Sequence, residues 1–268
     1  MWVLIIRLNN SVSSEAKVHA IFVTGTAGAG KSLITSRLIE WYSSNNAYAV
    51  ALNLDPGAVN LPYEPAVDVR DYIDIDTIMQ SYGLGPNGAL IMAGDMIATK
   101  LNDIQNEVDE VNPDYIIVDT PGQLELFAYR ASGPFFTSNF ACEGKAVIFL
   151  ADGMLVSSPA NFISIALLAT SIRLRLRMPQ INILSKIDMM KEKNKVLAWS
   201  SNVSMLEQAI AEEHNGENYL LSMALLKSAM KGGVSIGLLA VSGATAEGMI
   251  NLGATLGRIL KMGEEVEG

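Results

Sequence analysis

The residues best suited to chemistry form one short glycine-rich segment near the amino terminus. They are Gly25, Thr26, Ala27, Gly28, Ala29, Gly30, Lys31 and Ser32, followed by Leu33. Glycines allow backbone amides to wrap around an anion, and the flanking apolar runs predict a buried strand at 20–23 and a helix at 33–39. Lys31 would then contact the β- and γ-phosphates of a nucleoside triphosphate, and the Ser32 hydroxyl would bind Mg²⁺. A chance glycine-rich turn is the alternative, but the strand, the helix and the Gly-Lys-Ser ending favour a phosphate-binding loop.

A second reactive pattern follows a later apolar run, where the chain reads Asp-Thr-Pro-Gly-Gln at 119–123. The carboxylate of Asp119 could hold Mg²⁺ through water, and the amide of Gly122 could contact a γ-phosphate. Gln123 stands where a side-chain amide could orient an attacking water molecule. The alternative is a turn that carries an incidental glutamine. Residues 119–123 therefore predict groups that catalyse hydrolysis of a bound nucleotide, and Lys31 would neutralise the charge of its phosphates.

Carboxylates also follow the second predicted strand, at 48–54. Asp55 lies within Asn-Leu-Asp-Pro-Gly at 53–57 and could contact Mg²⁺ or act on the attacking water as a general base. Asp68 is a second candidate for the same chemistry. The alternative for Asp55 is a strand-end turn, for which Asp-Pro-Gly is suited. The predicted metal ligands are therefore Ser32, Asp55 and Asp119.

A third pattern, Ser185, Lys186, Ile187 and Asp188, follows the run at 181–184 and resembles the base-recognition motif of GTPases. Guanine presents both N1–H and an exocyclic amine, so one carboxylate that accepts two hydrogen bonds separates it from adenine. Asp188 would be that acceptor, and the stem of Lys186 would cover the purine face. The segment at Ser242 and Gly243 would supply a backbone N–H for the guanine O6.

Each predicted strand ends at a polar residue. Buried strands are predicted at 20–23, 48–54, 115–118, 146–151, 181–184 and 238–241. Such continuous apolar runs are typical of parallel strands covered on both faces, and ligands of such sheets bind beyond the carboxyl ends. We therefore predict one α/β domain over residues 1–268, in three layers, with a mostly parallel sheet flanked by helices.

Helices are expected in the remaining segments. Ser158 and Pro159 predict the start of a helix that continues to 178, and a final helix is predicted at 246–262. Residues 189–235 contain only helical patterns and predict a helical insertion in two pieces, broken near 214–216. Within it, residues 219–226 are apolar nearly all round, which indicates core packing or, alternatively, a face that a partner covers.

Composition limits the possible partners. The net charge of −9 and the pI near 4.8 argue against direct nucleic-acid binding, which requires basic surface. The single cysteine, Cys142, cannot form an intramolecular disulfide, which is consistent with a cytoplasmic protein. The apolar start of the amino-terminal extension at 1–17 is far shorter than the ~20 residues of a membrane span, so no membrane attachment is expected.

A further predicted turn, Gly85-Pro86-Asn87, indicates a resemblance to one particular protein family. Together with the patterns above, it resembles the GPN-loop GTPases, within the SIMIBI class of dimerising nucleotide-binding proteins. The resemblance implies a P-loop NTPase fold, Mg²⁺-dependent hydrolysis of GTP to GDP and phosphate, and an insertion at about 72–110 between the second and third strands. It also implies a dimer, expected to be a homodimer through the GPN-loop face. Asn87 would lie at the tip of a stiff loop and organise the attacking water or the product phosphate in trans.

Two other functions stay open. A nucleotide or small-molecule kinase would share the phosphate-binding loop, but it would not require Asp188 in a base-recognition motif. A GTP-binding assembly factor with little turnover is the second alternative, since eukaryotic relatives of the family are associated with RNA polymerase assembly. The apolar segment at 219–226 is the sequence feature that favours this second alternative.

Overall fold

The apolar run before the phosphate-binding loop forms the central strand of the sheet. The computed structural model describes residues 18–212, 216–234 and 237–264. The amino-terminal extension at 1–17, most of the break predicted near 214–216, and residues 265–268 lie outside these ranges. The strands are β1 His19–Gly25, β2 Ala49–Asn53, β3 Val67–Asp68, β4 Tyr115–Asp119, β5 Gly144–Asp152, β6 Gln180–Ser185 and β7 Leu239–Ala240.

The strands form one parallel sheet in the order β3-β2-β4-β1-β5-β6-β7. The six predicted strands are confirmed with small differences at their ends. β3 was not predicted because two residues are too few to produce a recognisable apolar run. The insertion that carries Gly85-Pro86-Asn87 therefore follows β3 and precedes β4, which is the third of the predicted strands.

Helices cover both faces of the sheet. They are α1 Lys31–Ser44, α2 Ile75–Tyr82, α3 Pro86–Met96, α4 Leu101–Val111, α5 Leu124–Phe127, α6 Ser132–Asn139, α7 Pro159–Leu176, α8 Lys193–Ser201, α9 Val203–Glu212, α10 Gly216–Lys231 and α11 Met249–Glu264. Alternate side chains of β1 point to opposite faces of the sheet, and each face has its own apolar core. Phe22 packs into the core that includes α4, α6 and α7, whereas Ile21 packs into the core with α1 and α11. The predicted three-layer α/β architecture is confirmed.

Several predicted boundaries need correction. Asn87 is not at the tip of a loop: Gly85 is the N-cap of α3 and Pro86 is its first residue, a position that proline favours. The insertion at 189–235 holds three helices rather than two, since the chain also breaks at Asn202 between α8 and α9. α7 ends before its predicted limit because Arg177 adopts a left-handed conformation, with φ of 55°. α11 begins later than predicted, after a turn that contains Gly248.

Candidate nucleotide-binding site

The predicted site residues follow the carboxyl ends of the parallel strands. The phosphate-binding loop, residues 25–32, follows β1 and leads directly into α1. Gly28 and Gly30 have φ angles of 75° and 93°, which side-chain-bearing residues rarely adopt, so the glycines are required by the backbone path. The loop therefore ends at a helix N-terminus, where backbone amides and the helix dipole favour an anion.

Lys31 connects the phosphate-binding loop to the Asp-Thr-Pro-Gly-Gln segment. Its ammonium donates hydrogen bonds to the carbonyls of Gly25 and Thr26, both at 3.1 Å, and to that of Gly122 at 2.8 Å. Burial lowers the pKa of Lys31, and the negative charges of Asp119 and Asp55 oppose that shift. Lys31 thus places a positive charge between the phosphate-binding loop and the Asp-Thr-Pro-Gly-Gln segment. The sequence predicted that these two segments act in the same reaction.

Asp55 joins the same cluster from the segment after β2. Its Oδ2 accepts a hydrogen bond from the Gly122 amide at 2.8 Å, and its Oδ1 accepts one from the Gly57 amide at 2.9 Å. The side chain of Asn53 accepts from the Asp55 amide at 3.0 Å. Asp55 is therefore part of a strand-end turn, and it also connects this turn to the Gly122 amide of the Asp-Thr-Pro-Gly-Gln segment.

Asp68 supports this cluster from β3. It accepts a hydrogen bond from the Asn53 amide group at 2.9 Å and pairs with the Arg70 guanidinium at 2.6 Å. Burial alone would raise the pKa of Asp68, but the hydrogen bonds from Arg70 and Asn53 outweigh it and lower the pKa below its usual value. Because Asn53 in turn fixes the Asp55 backbone, Asp68 stabilises the position of Asp55 through Asn53.

Asp119, at the end of β4, is almost completely buried, at 2% exposure. Burial raises its pKa to about 6, while the nearby hydroxyls of Ser32 and Tyr63 and the charge of Lys31 act in the opposite direction. Its Oδ2 accepts a hydrogen bond from the Tyr63 hydroxyl at 2.8 Å. Within the part of the chain that the structure describes, Oδ1 has no hydrogen-bond partner.

This donor set fits a magnesium ion. Ser32 and Asp119 offer a hydroxyl and a buried carboxylate beside one another, and Asp55 adds a second carboxylate close by. Mg²⁺ prefers such oxygen ligands and commonly keeps several of its waters. The buried Oδ1 of Asp119, unpartnered within the described residues, is the observation that favours a cation here.

Gln123 and Asn87 lie together beside this cluster. Both are exposed, and both line a cavity of about 320 Å³ whose wall also includes Glu125 and Arg130. Gln123 is the N-cap of α5, and Asn87 is in the first turn of α3. Among the described residues, no hydrogen bond joins either side chain to Lys31 or Asp55. The structure therefore brings the two predicted water-orienting residues together, but not into the buried cluster.

The base-recognition segments meet on the other side of the phosphate-binding loop. Asp188 Oδ1 accepts a hydrogen bond from the Ser242 hydroxyl at 2.5 Å. The buried Ser185 hydroxyl donates to the carbonyl of Ala29, in the loop itself, at 2.9 Å. Ser185 thus links the base motif to the phosphate-binding loop. Leu33 lies against the second base segment, since a Cβ built on Gly243 would be 2.9 Å from its Cγ.

Two contributors were missed by sequence reasoning. Asp152, at the end of β5, pairs with the ammonium of Lys186 at 2.8 Å, and this contact fixes the lysine predicted to cover the base. Tyr63, whose hydroxyl contacts Asp119, lies in the loop before β3. Asp152 could have been found as a carboxylate at a strand end, but no pattern in the sequence marks Tyr63 as a partner of Asp119.

A membrane-spanning helix finds no support in the described ranges. None of the helices there combines the length and the apolar character that crossing a bilayer requires.

Comparison with known proteins places the chain in a family. Residues 23–262 match the family model described as "Conserved hypothetical ATP binding protein". The GPN-loop GTPase QQT2 of Arabidopsis thaliana is 32% identical over 234 residues, covering 84% of this chain and 61% of that protein. GPN-loop GTPase 3 of Kluyveromyces lactis is 32% identical over 212 residues, covering 76% of this chain and 78% of that protein.

A solved structure agrees with these relatives. The apo crystal structure of the GTPase PAB0955 from Pyrococcus abyssi superposes with a TM-score of 0.79 at 27% identity, covering 91% of this chain and 98% of that one. The chain spans only 61% of the Arabidopsis relative and 54% of GPN-loop GTPase 1 from Saccharomyces cerevisiae. Sequence, fold and site geometry agree, and the chain belongs to the GPN-loop GTPase family.

Proposed function

We propose that this chain hydrolyses GTP to GDP and phosphate in a Mg²⁺-dependent reaction. The observation that carries the proposal is that three contacts join four segments at one edge of the sheet. Lys31 bonds to Gly122, Asp55 bonds to the Gly122 amide, and Ser185 links Asp188 to the phosphate-binding loop. The first two contacts organise the phosphate end of a nucleotide site, and the third fixes the distance from there to the base.

The residues divide the reaction between them. Lys31 neutralises phosphate charge, and the Gly122 amide is available to a γ-phosphate once Asp55 turns to the attacking water. Gln123 and Asn87 orient that water from the adjoining cavity. Asp188, held by Ser242, accepts the two guanine N–H groups. Catalysis of this kind consists mostly of positioning and electrostatic stabilisation.

Ser32, Asp55 and Asp119 would hold the magnesium ion. The metal would neutralise charge that develops on the phosphate oxygens. Lys31 and the phosphate-binding loop supply the rest of the positive environment. Asp119 must be ionised to bind a cation, which its pKa of about 6 allows at neutral pH.

We further infer a homodimer that forms through the GPN-loop face, with each Asn87 serving the partner's site. The exposure of Asn87, Tyr82 and Ile91 on that face supports this arrangement, because two apolar side chains there are 61% and 41% exposed. A cytoplasmic location is the corresponding expectation from the single cysteine.

Phosphate release from Mg²⁺–GTP and Mg²⁺–ATP tests the proposal. We expect wild-type protein to release phosphate selectively from GTP and Asn87→Ala to lose about 10²-fold or more of that rate, in line with the loss of a positioning group. Asn106→Ala is a matched control, because Asn106 is exposed in α4 of the same insertion. Equal rates with GTP and ATP would contradict the proposal, whereas an unaffected Asn87→Ala would remove Asn87 from the reaction.

A second function, control of a client protein by the nucleotide state, is favoured by α10. Leu226 of this helix is buried, but Leu220 and Leu221 are 69% and 58% exposed. The apolar segment at 219–226 therefore packs into the core along one face only. By family resemblance, RNA polymerase assembly machinery is the proposed client. We expect polymerase subunits to bind the GTP-analogue and GDP forms unequally, and to be lost from Leu220→Ser/Leu221→Ser; equal capture by both forms would contradict the proposal.

A further inference from the structure

Arg37, in the middle of α1, lies outside every nucleotide-binding motif of the sequence, yet it contacts the second base segment. Its Nε donates a hydrogen bond to the Gly243 carbonyl at 2.8 Å, and its Nη2 donates to the Ala244 carbonyl at 3.3 Å. Its Nη1 pairs with Glu40 at 2.6 Å, one turn along the same helix. The guanidinium is therefore held in one orientation by partners on three sides.

The base segment is also fixed by contacts that do not involve Arg37. The Ser242 amide donates to the Glu247 carbonyl at 2.9 Å, and the Ser242 hydroxyl accepts from the Thr245 amide at 3.1 Å. Gly243 packs so closely on α1 that any side chain there would collide with Leu33. These contacts close the turn, and Arg37 fixes the direction of the two carbonyls within it.

The direction of those carbonyls determines the direction of an amide. In a trans peptide the C=O of Gly243 and the N–H of Ala244 point opposite ways, and the described chain contains no cis peptide. Arg37 therefore turns the Ala244 N–H away from α1. Within the described ranges, neither the Gly243 nor the Ala244 amide donates a hydrogen bond to another protein group. Both amides remain available to an acceptor on a ligand.

We propose that Arg37 is a positioning residue for guanine specificity: by holding the Gly243 carbonyl against α1, it directs the Ala244 amide to the guanine O6. The inference rests on the proposed function, because guanine is the base concerned. Adenine carries an amine where guanine carries O6, so the fixed Ala244 amide would face another donor and adenine would bind poorly. Loss of Arg37 should therefore lower discrimination between the two bases more than it lowers general nucleotide binding.

Dissociation constants for GDP and ADP, measured by calorimetry in the presence of Mg²⁺, test this role. We expect Arg37→Ala to bind GDP about tenfold more weakly, the effect of one lost hydrogen bond, and to bind ADP within about twofold of wild type. Arg37→Lys should restore little of the preference, because an ammonium lacks the fork that reaches two carbonyls. Arg258→Ala is the control, since Arg258 is an exposed arginine of α11.

A second measurement separates the O6 contact from the contact made by Asp188. In Asp188→Asn, xanthosine diphosphate should replace GDP as the preferred ligand, and xanthine keeps the oxygen at position 6. Adding Arg37→Ala should therefore weaken xanthosine diphosphate binding by the same factor of about ten. A smaller factor would mean that Arg37 acts through Asp188, which would overturn the proposed O6 contact.

The outcomes distinguish the inference from the function on which it rests. A GDP-to-ADP preference that falls in Arg37→Ala, but not in Arg258→Ala, supports the inference. Equal loss of GDP and ADP binding would show that Arg37 supports the phosphate-binding loop, and unchanged affinity for both would show that it supports only the helix; either overturns the inference alone. A wild-type protein without preference for GDP would overturn the proposed function as well.

Discussion

At the scale of single residues, the site depends on side chains that hold other side chains. Arg70 pairs with Asp68, Asp68 accepts from Asn53, and Asn53 accepts from the Asp55 amide. In the proposed site, Asp55 is the member of this chain that would contact the metal or the attacking water. Asp68, which the sequence predicted as a second catalytic candidate, therefore stabilises and positions the cluster. Its contribution to the free energy of unfolding should consequently depend on pH.

We predict that Asp68→Asn lowers the free energy of unfolding at pH 7 by about 1–2 kcal/mol, because it weakens hydrogen bonds to a charged group. The folded-state pKa of Asp68 lies below its usual value, so the stabilisation is present above the unfolded-state pKa and is lost as pH falls through the folded-state pKa. The wild-type advantage over the variant should therefore shrink in acid. Urea unfolding between pH 7 and pH 3 measures this, with exposed Asp71→Asn as control; a constant difference would contradict it.

At the scale of elements, α3, which carries Asn87, packs against α5, which follows the Asp-Thr-Pro-Gly-Gln segment. Gly94 of α3 faces α5, where a Cβ would be 3.2 Å from the Leu126 carbonyl, and Asp95 forms a bidentate ion pair with Arg130. Asn87 and Gln123 begin these two helices. Their separation is therefore set by the packing of α3 against α5.

We predict that Gly94→Val destabilises the fold by about 1–3 kcal/mol, through overpacking at this contact, and also lowers the GTP hydrolysis rate at saturating substrate. Gly257→Val in α11 is the matched control, because a Cβ there meets nothing within 4 Å. Denaturant unfolding and phosphate release check the two effects. If Gly94→Val lost stability but kept its full turnover, α3 would not control the position of Asn87.

The sequence predicts elements well where one run of residues determines them. The six longer strand runs and the phosphate-binding loop are visible because buried parallel strands and a glycine-rich turn each have a local signature. β3 has two residues and no such signature, and the contacts of Tyr63 and Arg37 depend on tertiary packing between distant segments. Asn87 was predicted in a loop because proline suggests a turn, although proline also suits the first turn of a helix.

At the scale of the whole molecule, the proposed dimer determines whether Asn87 acts on its own site or on the partner's. In a single chain, Asn87 and Gln123 share an exposed cavity, so the face that carries Asn87 is open to a second copy. A C2 interface would place the same residues of both copies on one surface. Mixing two inactive variants can separate the two arrangements.

We predict that Lys31→Ala and Asn87→Ala, each inactive alone, recover about a quarter of wild-type GTP hydrolysis when mixed and allowed to exchange subunits. Half of the dimers would then be mixed, and each mixed dimer would hold one site with its own Lys31 and the partner's Asn87. Phosphate release against mixing ratio measures the recovery. No recovery, with exchange verified by differently tagged subunits, would show that Asn87 serves its own chain.

The most direct test of the central claim, hydrolysis selective for the guanine base, compares phosphate release from GTP, xanthosine triphosphate and ATP by wild type and Asp188→Asn. The asparagine amide can donate to the xanthine oxygen at position 2, where the carboxylate accepts from the guanine amine. We predict that wild type prefers GTP and that Asp188→Asn prefers xanthosine triphosphate, with ATP a poor substrate for both. An unchanged order of preference in the variant would contradict base recognition by Asp188 and the assignment built on it.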